Sequence, residues 1–319
     1  MIEIIKPESK EAWLQARTKD ITSTEISALF GFSPYITEFE IFHQKKSGTV
    51  VTIKEHERLR WGTALQDAIA AEIAKEQGWT IRRMDEYMRD TELRAGASFD
   101  FSIQTADPMT ATEVMSRQNG QNGMALLEIK NVDSLAFRDG WTEDDAGNIE
   151  APLHIEIQVQ HQLMVSGRAF AYLGALVGGN RLVLIKRDRN EAVINSIKQK
   201  IQAFWASIES NTPPKPNFER DAKFISSLYN YADPGKLLDV RENEDFMNMA
   251  REHKRLGDIA KDAETKREAL KAQMLMVIGD AEKIEGGEFS ISAGIIGECE
   301  VAYTRKAYRN FKPTWRKQK

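Results

Sequence analysis

Glu128 and Lys130 stand two positions apart in LLEIKNVD, Leu126 to Asp133. Leu126, Leu127 and Ile129 mark this stretch as a buried strand. In a strand, residues i and i+2 share a face. The acid and the base therefore look one way while Leu127 and Ile129 pack the other way. Taken alone, the pattern also fits a same-face ion pair at a sheet edge. Upstream, ASFDF (Ala97 to Phe101) is an apolar strand carrying a single acid, Asp100. A hairpin with a long tip separates the two stretches. Adjacent antiparallel strands bring such side chains within a few ångströms. Two carboxylates there repel unless a cation joins them, and oxygen-only ligands favour Mg²⁺ or Mn²⁺. A lysine beside them can orient a water or stabilise charge on a phosphate. An acid, then acid-x-Lys, on neighbouring strands suits metal-dependent phosphodiester hydrolysis. As a bare pattern it is degenerate.

The elements that must position these residues are legible from periodicity. Ser9 precedes a helix-like run that breaks at Lys19–Asp20, and Thr22 or Ser23 is placed to cap a short helix ending at Gly31. SPYITEFEIFHQKKSG reads as a turn plus a short helix stopped by Gly48. Residues 55–77 form a long helix with Leu59, Leu65, Ile69 and Ile73 on one side, ended by Gly78. Trp79–Met84, Tyr87–Arg89, Ala97–Ile103 and Leu126–Asn131 are strands. Between Gln104 and Met124 lies a polar, Asn/Gly-rich insertion read as a long loop. Residues 153–167 are a helix, Ala169–Val177 and Arg181–Lys186 a strand pair about Gly178–Gly179–Asn180, and Glu191–Ser210 a helix. Helices, a β-meander, a helix, strands and a helix make a mixed α/β (α+β) domain.

TPPKPNF, from Thr212, is the clearest boundary, since its prolines cannot continue a helix. The expected organisation is a domain over 1–211, a linker region over 212–241 and a charged helical arm plus a small β element and basic tail over 242–319. In the arm, Met249, Leu256, Ala263, Leu270 and Val277 repeat every seven residues. The other seam position is poor (Phe246, His253, Ala260, Arg267, Met274), and Gly257 sits inside. That favours a helical hairpin arm or a weak seam over a long coiled coil.

Bulk composition sets limits. The 319 residues suffice for one large domain plus an appendage, or two domains. A net charge of -4 does not announce a nucleic-acid partner and does not exclude a local basic patch. A single cysteine, Cys299, rules out an intrachain disulfide and any cysteine cluster for zinc or iron–sulfur. The N-terminal residues hold no apolar signal core, and the longest apolar run, Ala169 to Gly179, is shorter than the roughly 20 residues a span needs. The expectation is a soluble protein of a reducing cytoplasm, with no membrane.

Asp100 with Glu128-Ile129-Lys130 resembles the PD-(D/E)XK nuclease signature. The agreement around it is more specific. AWLQAR with ITSTEISALFGFSPYITEFEIF (residues 12–42), RWGTAL (60–65), ASFDF (97–101), LLEIK (126–130) and IEIQVQHQLMV (155–165) occur in the order of the lambda exonuclease / YqaJ-type viral recombinases. The resemblance covers roughly residues 9–210. It implies a restriction-endonuclease-like central mixed sheet flanked by helices. It also implies a Mg²⁺-dependent exonuclease, with Mn²⁺ as a possible substitute, that digests one strand of duplex DNA from its 5′ end. The 3′ overhang is then handed to a single-strand annealing protein, in the cytoplasm of a bacterial host. Well-known relatives form ring trimers, so a homo-oligomer is expected.

Carried over position by position, the resemblance makes Asp100 and Glu128 metal ligands, with the Ile129 carbonyl completing the site and Lys130 near the attacking water. Arg17 and Thr24 match positions that grip a 5′-terminal phosphate, for which a guanidinium is suited. Gln158 and Gln160 lie about 200° apart around their helix, so one of them faces the site, and Gln158 is the candidate. The family usually places a Glu where this chain has Gln66. Either Gln66 coordinates through its amide oxygen, or Asp67 or Glu72 substitutes. His154 and His161 share a helix face, where packing or a phosphate contact is favoured over a metal pair. The basic, aromatic-rich tail (Arg305, Lys306, Arg309, Lys312, Arg316, Lys317, Lys319) reads either as a solvated end or as a DNA- or partner-contacting arm. The competing functional reading is a non-catalytic DNA-end-binding scaffold with the same fold.

Overall fold

A computed structural model describes residues 1–51, 57–105, 125–145, 147–304 and 308–315. The long insertion expected before Met124 and the tail residues Arg305, Lys306, Arg316, Lys317 and Lys319 lie outside the described residues. The mixed α/β architecture expected from the sequence is the one that forms, and the chain divides into two compact units, Met1–Ile225 and Ser226–Lys319.

Among the described residues, the first unit carries two larger sheets and a two-stranded hairpin. The larger has five strands in the order β11-β10-β7-β6-β3. Here β3 is Thr80–Arg83, β6 Phe101–Thr105, β7 Ala125–Val132, β10 Phe170–Val177 and β11 Arg181–Asp188. The β6/β7, β3/β6 and β10/β11 pairs are antiparallel, whereas β7 and β10 are parallel, so the sheet is mixed. The smaller sheet runs β1-β4-β5-β2, from Ile2–Ile5, Tyr87–Asp90, Ala95–Ser98 and Ile21–Thr22. A short hairpin, β8 (Thr142–Glu143) with β9 (Ile149–Glu150), and helix α5 (Ser134–Gly140) follow β7. Neither they nor β1 was visible in the periodicity, because such short segments span too few residues to show it.

Alternation along β7 separates the faces. Leu127 and Ile129 join Ile69, Ile73 and Phe101 in a cluster under α4 (Glu57–Gln77). Leu126 belongs to the opposite cluster, with Val159 and Leu163 of α6 (Leu153–Ser166) and Ile197 and Ile201 of α7 (Glu191–Glu209). Glu128 follows Leu126 onto the α6 face. The sheet is thus covered on both faces, and β7 is buried from both.

Several boundaries differ from the expectation. The strand read as Ala97–Ile103 is two strands in different sheets, β5 and β6, with Phe99–Asp100 as the crossing point. The helix read from ITSTEISALFG is only Ile26–Leu29 (α2), and its N-cap residue is Glu25, without a side-chain cap. Thr22 sits in β2 instead, where its N–H and hydroxyl both donate to Glu25. Leu59 is exposed, so the buried face of α4 begins at Leu65. Ser9 stands before a helix as read: it accepts from Ala12 N–H at the start of α1 (Lys10–Arg17). Thr37, a cap the sequence reading did not name, accepts from Glu40 N–H at the start of α3 (Glu38–Ser47). Gly48, Gly78 and Gly167 take the left-handed conformation just past α3, α4 and α6.

The first unit runs past the expected end at 211, as far as Ile225. Asp221 is fully buried, with its Oδ1 accepting from the Thr37 hydroxyl at 2.5 Å and its Oδ2 from Asn217 N–H at 2.7 Å. Arg220 donates to the Ser33 carbonyl. Helix α8 (Ala222–Leu228) begins here.

The second unit is dominated by α9, Glu244–Ile278, a single helix of 35 residues. It passes Gly257 unbroken, so of the two arms expected, a helical hairpin or a weak seam, it is not the hairpin. A small antiparallel hairpin follows, β12 (Lys283–Glu285) with β13 (Ser290–Ser292). Among the described residues no helix is long and apolar enough to cross a membrane.

Candidate active site

The pairing of β6 with β7 sets Phe101 against Leu127. Asp100, one residue before β6, therefore arrives beside Glu128 and Ile129. Its Oδ2 accepts from the Ile129 N–H at 2.8 Å. The N–H and C=O of one strand residue point to the same edge, so the Ile129 carbonyl faces Asp100 as well. Glu128 is only 5% exposed. Its Oε1 accepts from Lys130 Nζ at 2.8 Å and from Gln158 Nε2 at 2.7 Å. Its Oε2 accepts from Gln162 Nε2 at 2.8 Å. Lys130 Nζ also donates to Gln158 Oε1 at 3.3 Å.

The electrostatics follow from that crowding. Burial, and then the charge of Glu128, push Asp100 up to about 7, against the opposing pull of Lys130, the Ile129 N–H and the Gln66 side chain. Burial works against the Lys130 ammonium, but Glu128 and Asp100 outweigh it and hold the group above the usual lysine range. Lys130 is thus a fixed positive charge, fit to donate hydrogen bonds and not to accept a proton.

Gln66 reaches this cluster from α4. Its side chain is among the groups that pull the Asp100 carboxyl down, and its Oε1 accepts from Arg83 Nη2 at 3.4 Å. The two alternatives are directed elsewhere: Asp67 into an exposed ion pair with Arg83, and Glu72 into one with Lys75 at 3.0 Å. Among the described residues no group of three or more His, Cys, Asp and Glu side chains converges. The oxygen donors at hand are the Asp100 and Glu128 carboxylates, the Ile129 carbonyl and the Gln66 amide. Two mutually repelling carboxylates with neutral oxygens around them fit a hard divalent cation that keeps several waters.

The Gln158/Gln160 ambiguity resolves by helix geometry. Gln158 bonds Glu128, whereas Gln160 turns away to the Asp188 carbonyl and the Asn190 N–H. Gln162 was not anticipated. Its signal was present in HIEIQVQHQ, where His154, Gln158 and Gln162 recur every four residues and so share a face. His161 is fully buried, and burial pulls it down to about 4, which makes it a neutral core residue and not a ligand.

Arg17 and Thr24 come together in a second group. Arg17 Nη2 donates to Thr24 Oγ1 at 3.1 Å and lies 3.5 Å from Thr22 Oγ1, while its guanidinium stacks over Trp13 at 4.4 Å. Lys45 pairs with Glu25 at 2.9 Å and donates to the Arg17 carbonyl at 2.8 Å. Glu25 in turn holds Thr22. One residue joins the two groups. Ser98 Oγ accepts from Trp13 Nε1 at 2.9 Å, and the Ser98 carbonyl accepts from Gln162 Nε2 at 3.1 Å.

Residues 12–169 match the model of the YqaJ-like viral recombinase domain. The chain is 25% identical over 236 residues to the uncharacterized protein YqaJ of Bacillus subtilis (strain 168), across 73% of this chain and 67% of that protein. Among solved structures it is similar to the alkaline exonuclease LHK-Exo of Laribacter hongkongensis, with 17% identity, a TM-score of 0.44, and coverage of 68% of this chain and 100% of that one. It is also similar to a phage-related exonuclease of Haemophilus somnus 129PT, with 10% identity, a TM-score of 0.40, and coverage of 60% and 94%.

Proposed function

We propose that this chain, which belongs to the YqaJ-like viral recombinase family through residues 12–169, is a divalent-metal-dependent exonuclease. It acts on linear double-stranded DNA in the 5′-to-3′ direction and leaves a 3′ single strand for an annealing protein. The observation that carries this reading is the convergence of Asp100, Glu128 and a protonated Lys130 in one cluster, tied through Ser98 to the Arg17/Thr24 pair. Asp100, Glu128, the Ile129 carbonyl and Gln66 would hold Mg²⁺ or Mn²⁺. Such an ion supplies Lewis-acid polarisation of the phosphate and lowers the pKa of a bound water.

This chain's own residues do the rest. Lys130, held by Glu128 and Gln158, presents its ammonium to a non-bridging phosphate oxygen or to the attacking water. Gln158 and Gln162 fix both oxygens of Glu128, so the carboxylate does not rotate as charge develops. Arg17 offers two parallel N–H groups to a 5′-terminal phosphate and Thr24 a hydroxyl. Trp13 keeps the guanidinium plane in place from below.

Linear duplex with and without a 5′ phosphate, plus Mg²⁺, tests the reading with wild type, Glu128→Ala and Arg17→Ala. Phosphorylated ends should be digested faster, from the 5′ side, and Glu128→Ala should abolish digestion. Arg17→Ala should erase the preference for phosphorylated ends, roughly 10-fold or more for a charge-assisted contact. The neutral Gln66 at Asp100 favours one other reading, a non-catalytic end-binding scaffold. Tight binding to ends with no digestion in either Mg²⁺ or Mn²⁺ would replace the nuclease with that scaffold.

A further inference from the structure

The α6 stripe has an outer member with no role in holding Glu128. Gln162 and Gln158 bond the carboxylate, and His154 stands one turn further toward the N-terminus, half-buried. Its ring meets Tyr35 edge-on, with centroids 5.9 Å apart and planes at 86°. One turn along the same helix face, Gln158 Oε1 accepts from Lys130 Nζ at 3.3 Å. The His154–Tyr35 pair therefore stands one helix turn from the charge cluster already described.

Tyr35 is 83% exposed, yet its backbone is fixed from several directions. Ser33 Oγ accepts from the N–H groups of Tyr35 at 3.2 Å and Ile36 at 3.3 Å. Pro34 restricts φ. The Ser33 carbonyl accepts from Arg220 at 2.5 Å, and Thr37 both caps α3 and bonds the buried Asp221. Ordering a loop costs conformational entropy, and an exposed ring returns little of it through burial. A flat aromatic face, held on an ordered loop one helix turn from the Gln158–Lys130 pair, matches one ligand chemistry in particular. Aromatic side chains next to a backbone-binding positive charge stack nucleobases.

We propose that Tyr35, braced edge-on by His154, is the stacking platform for the unpaired nucleobase adjoining the phosphodiester at Lys130. The proposal rests on the nuclease reading for its substrate and deepens it by assigning a base subsite. Stacking is indifferent to base identity, so the subsite accepts any sequence.

The test uses 5′-phosphorylated linear duplex carrying 2-aminopurine in one of the first three nucleotides of the 5′-ended strand. Binding to wild type and to Tyr35→Phe should quench its fluorescence at one position, and Tyr35→Ala should lose the quench. In steady-state digestion Tyr35→Ala should raise KM by roughly 10-fold, a typical effect of losing one stacked base, with a smaller change in kcat. A duplex with a tetrahydrofuran abasic residue at the quenched position should slow wild type by a similar factor and Tyr35→Ala no further, since one interaction cannot be removed twice. The exposed ring makes an unchanged melting temperature the expected control. Equal quenching by wild type and Tyr35→Ala, or an abasic penalty that is the same in both, overturns the proposal. Quenching is read without metal, so it reports on stacking even if wild type fails to cleave, an outcome that would instead remove the nuclease reading.

Discussion

Glu128 is held by three donors on two oxygens, and two of these donors are glutamines of one helix. If Glu128 binds a metal as proposed, groups that orient such a carboxylate typically contribute 10–100-fold in affinity or activity. Gln162→Met keeps most of the volume but removes the donor to Oε2 and to the Ser98 carbonyl. Its kcat should fall about 10–100-fold, and the Mg²⁺ concentration for half-maximal rate should rise. An unchanged metal dependence would show Gln162 to be a packing residue only. His161, its neighbour in sequence, predicts a stability effect instead. Neither ring nitrogen finds a hydrogen-bond partner among the described residues. Burial lowers the group to about 4, partly offset by the charge of Glu25 and the backbone of Ile21. Because its folded pKa lies below the unfolded 6.5, the neutral ring favours the fold above that pH. That contribution is lost as pH falls from 6.5 toward 4, and can reach about 3 kcal/mol. Denaturant melts of wild type and His161→Leu should therefore show a stability difference that shrinks or reverses in favour of the variant across that window. A pH-independent difference would mean that His161 is not buried neutral.

The strand β7, which carries the candidate site, was legible because alternation along a strand is strict. Leu127 and Ile129 on one face leave Glu128 and Lys130 no choice but the other. The helix was less legible, since a run such as IEIQVQHQLMV is buried nearly all round and its apolar pattern does not say which glutamine faces the sheet. The split at Phe99–Asp100 was invisible for a related reason: apolar residues continue through it, and only the pairing partners change. Packing between elements also leaves a mark on single residues. Gly174 in β10 sits under α4, and a Cβ there would run into Ile73 Cδ1, with Ile129 Cδ1 next at 3.3 Å. Gly174→Ala should thus lose about 1–3 kcal/mol by overpacking. Ile73→Val should lose about 0.5–1.5 kcal/mol by itself. Combined, they should lose less than the sum, because the shortened side chain of residue 73 admits the new methyl. Additive losses in equilibrium unfolding would place the strain elsewhere.

At the scale of the molecule, the two units differ in what holds them. The three core clusters are all drawn from residues before Ile225. Among the described residues after it, only Ile278 is buried. The prolines at Pro213, Pro214 and Pro216 were read as the end of the first domain, and by local backbone chemistry they do end a helix. They do not end the packing, because Asp221 returns to Thr37 and Phe224 lies against Phe39 and His43, with centroids 6.1 and 6.0 Å apart. Those contacts are long-range, and nothing in the local sequence announces them. A fragment ending at residue 225 should unfold cooperatively. A fragment ending at 211 strips the partner from Thr37 and the aromatic face from Phe39, a loss of about 2–4 kcal/mol from one hydrogen-bond network and one ring cluster. For a domain of this size that corresponds to a Tm lower by roughly 5–10 °C. Equal melting temperatures for the two fragments would mean that residues 212–225 rest on the surface of the first unit without supporting it.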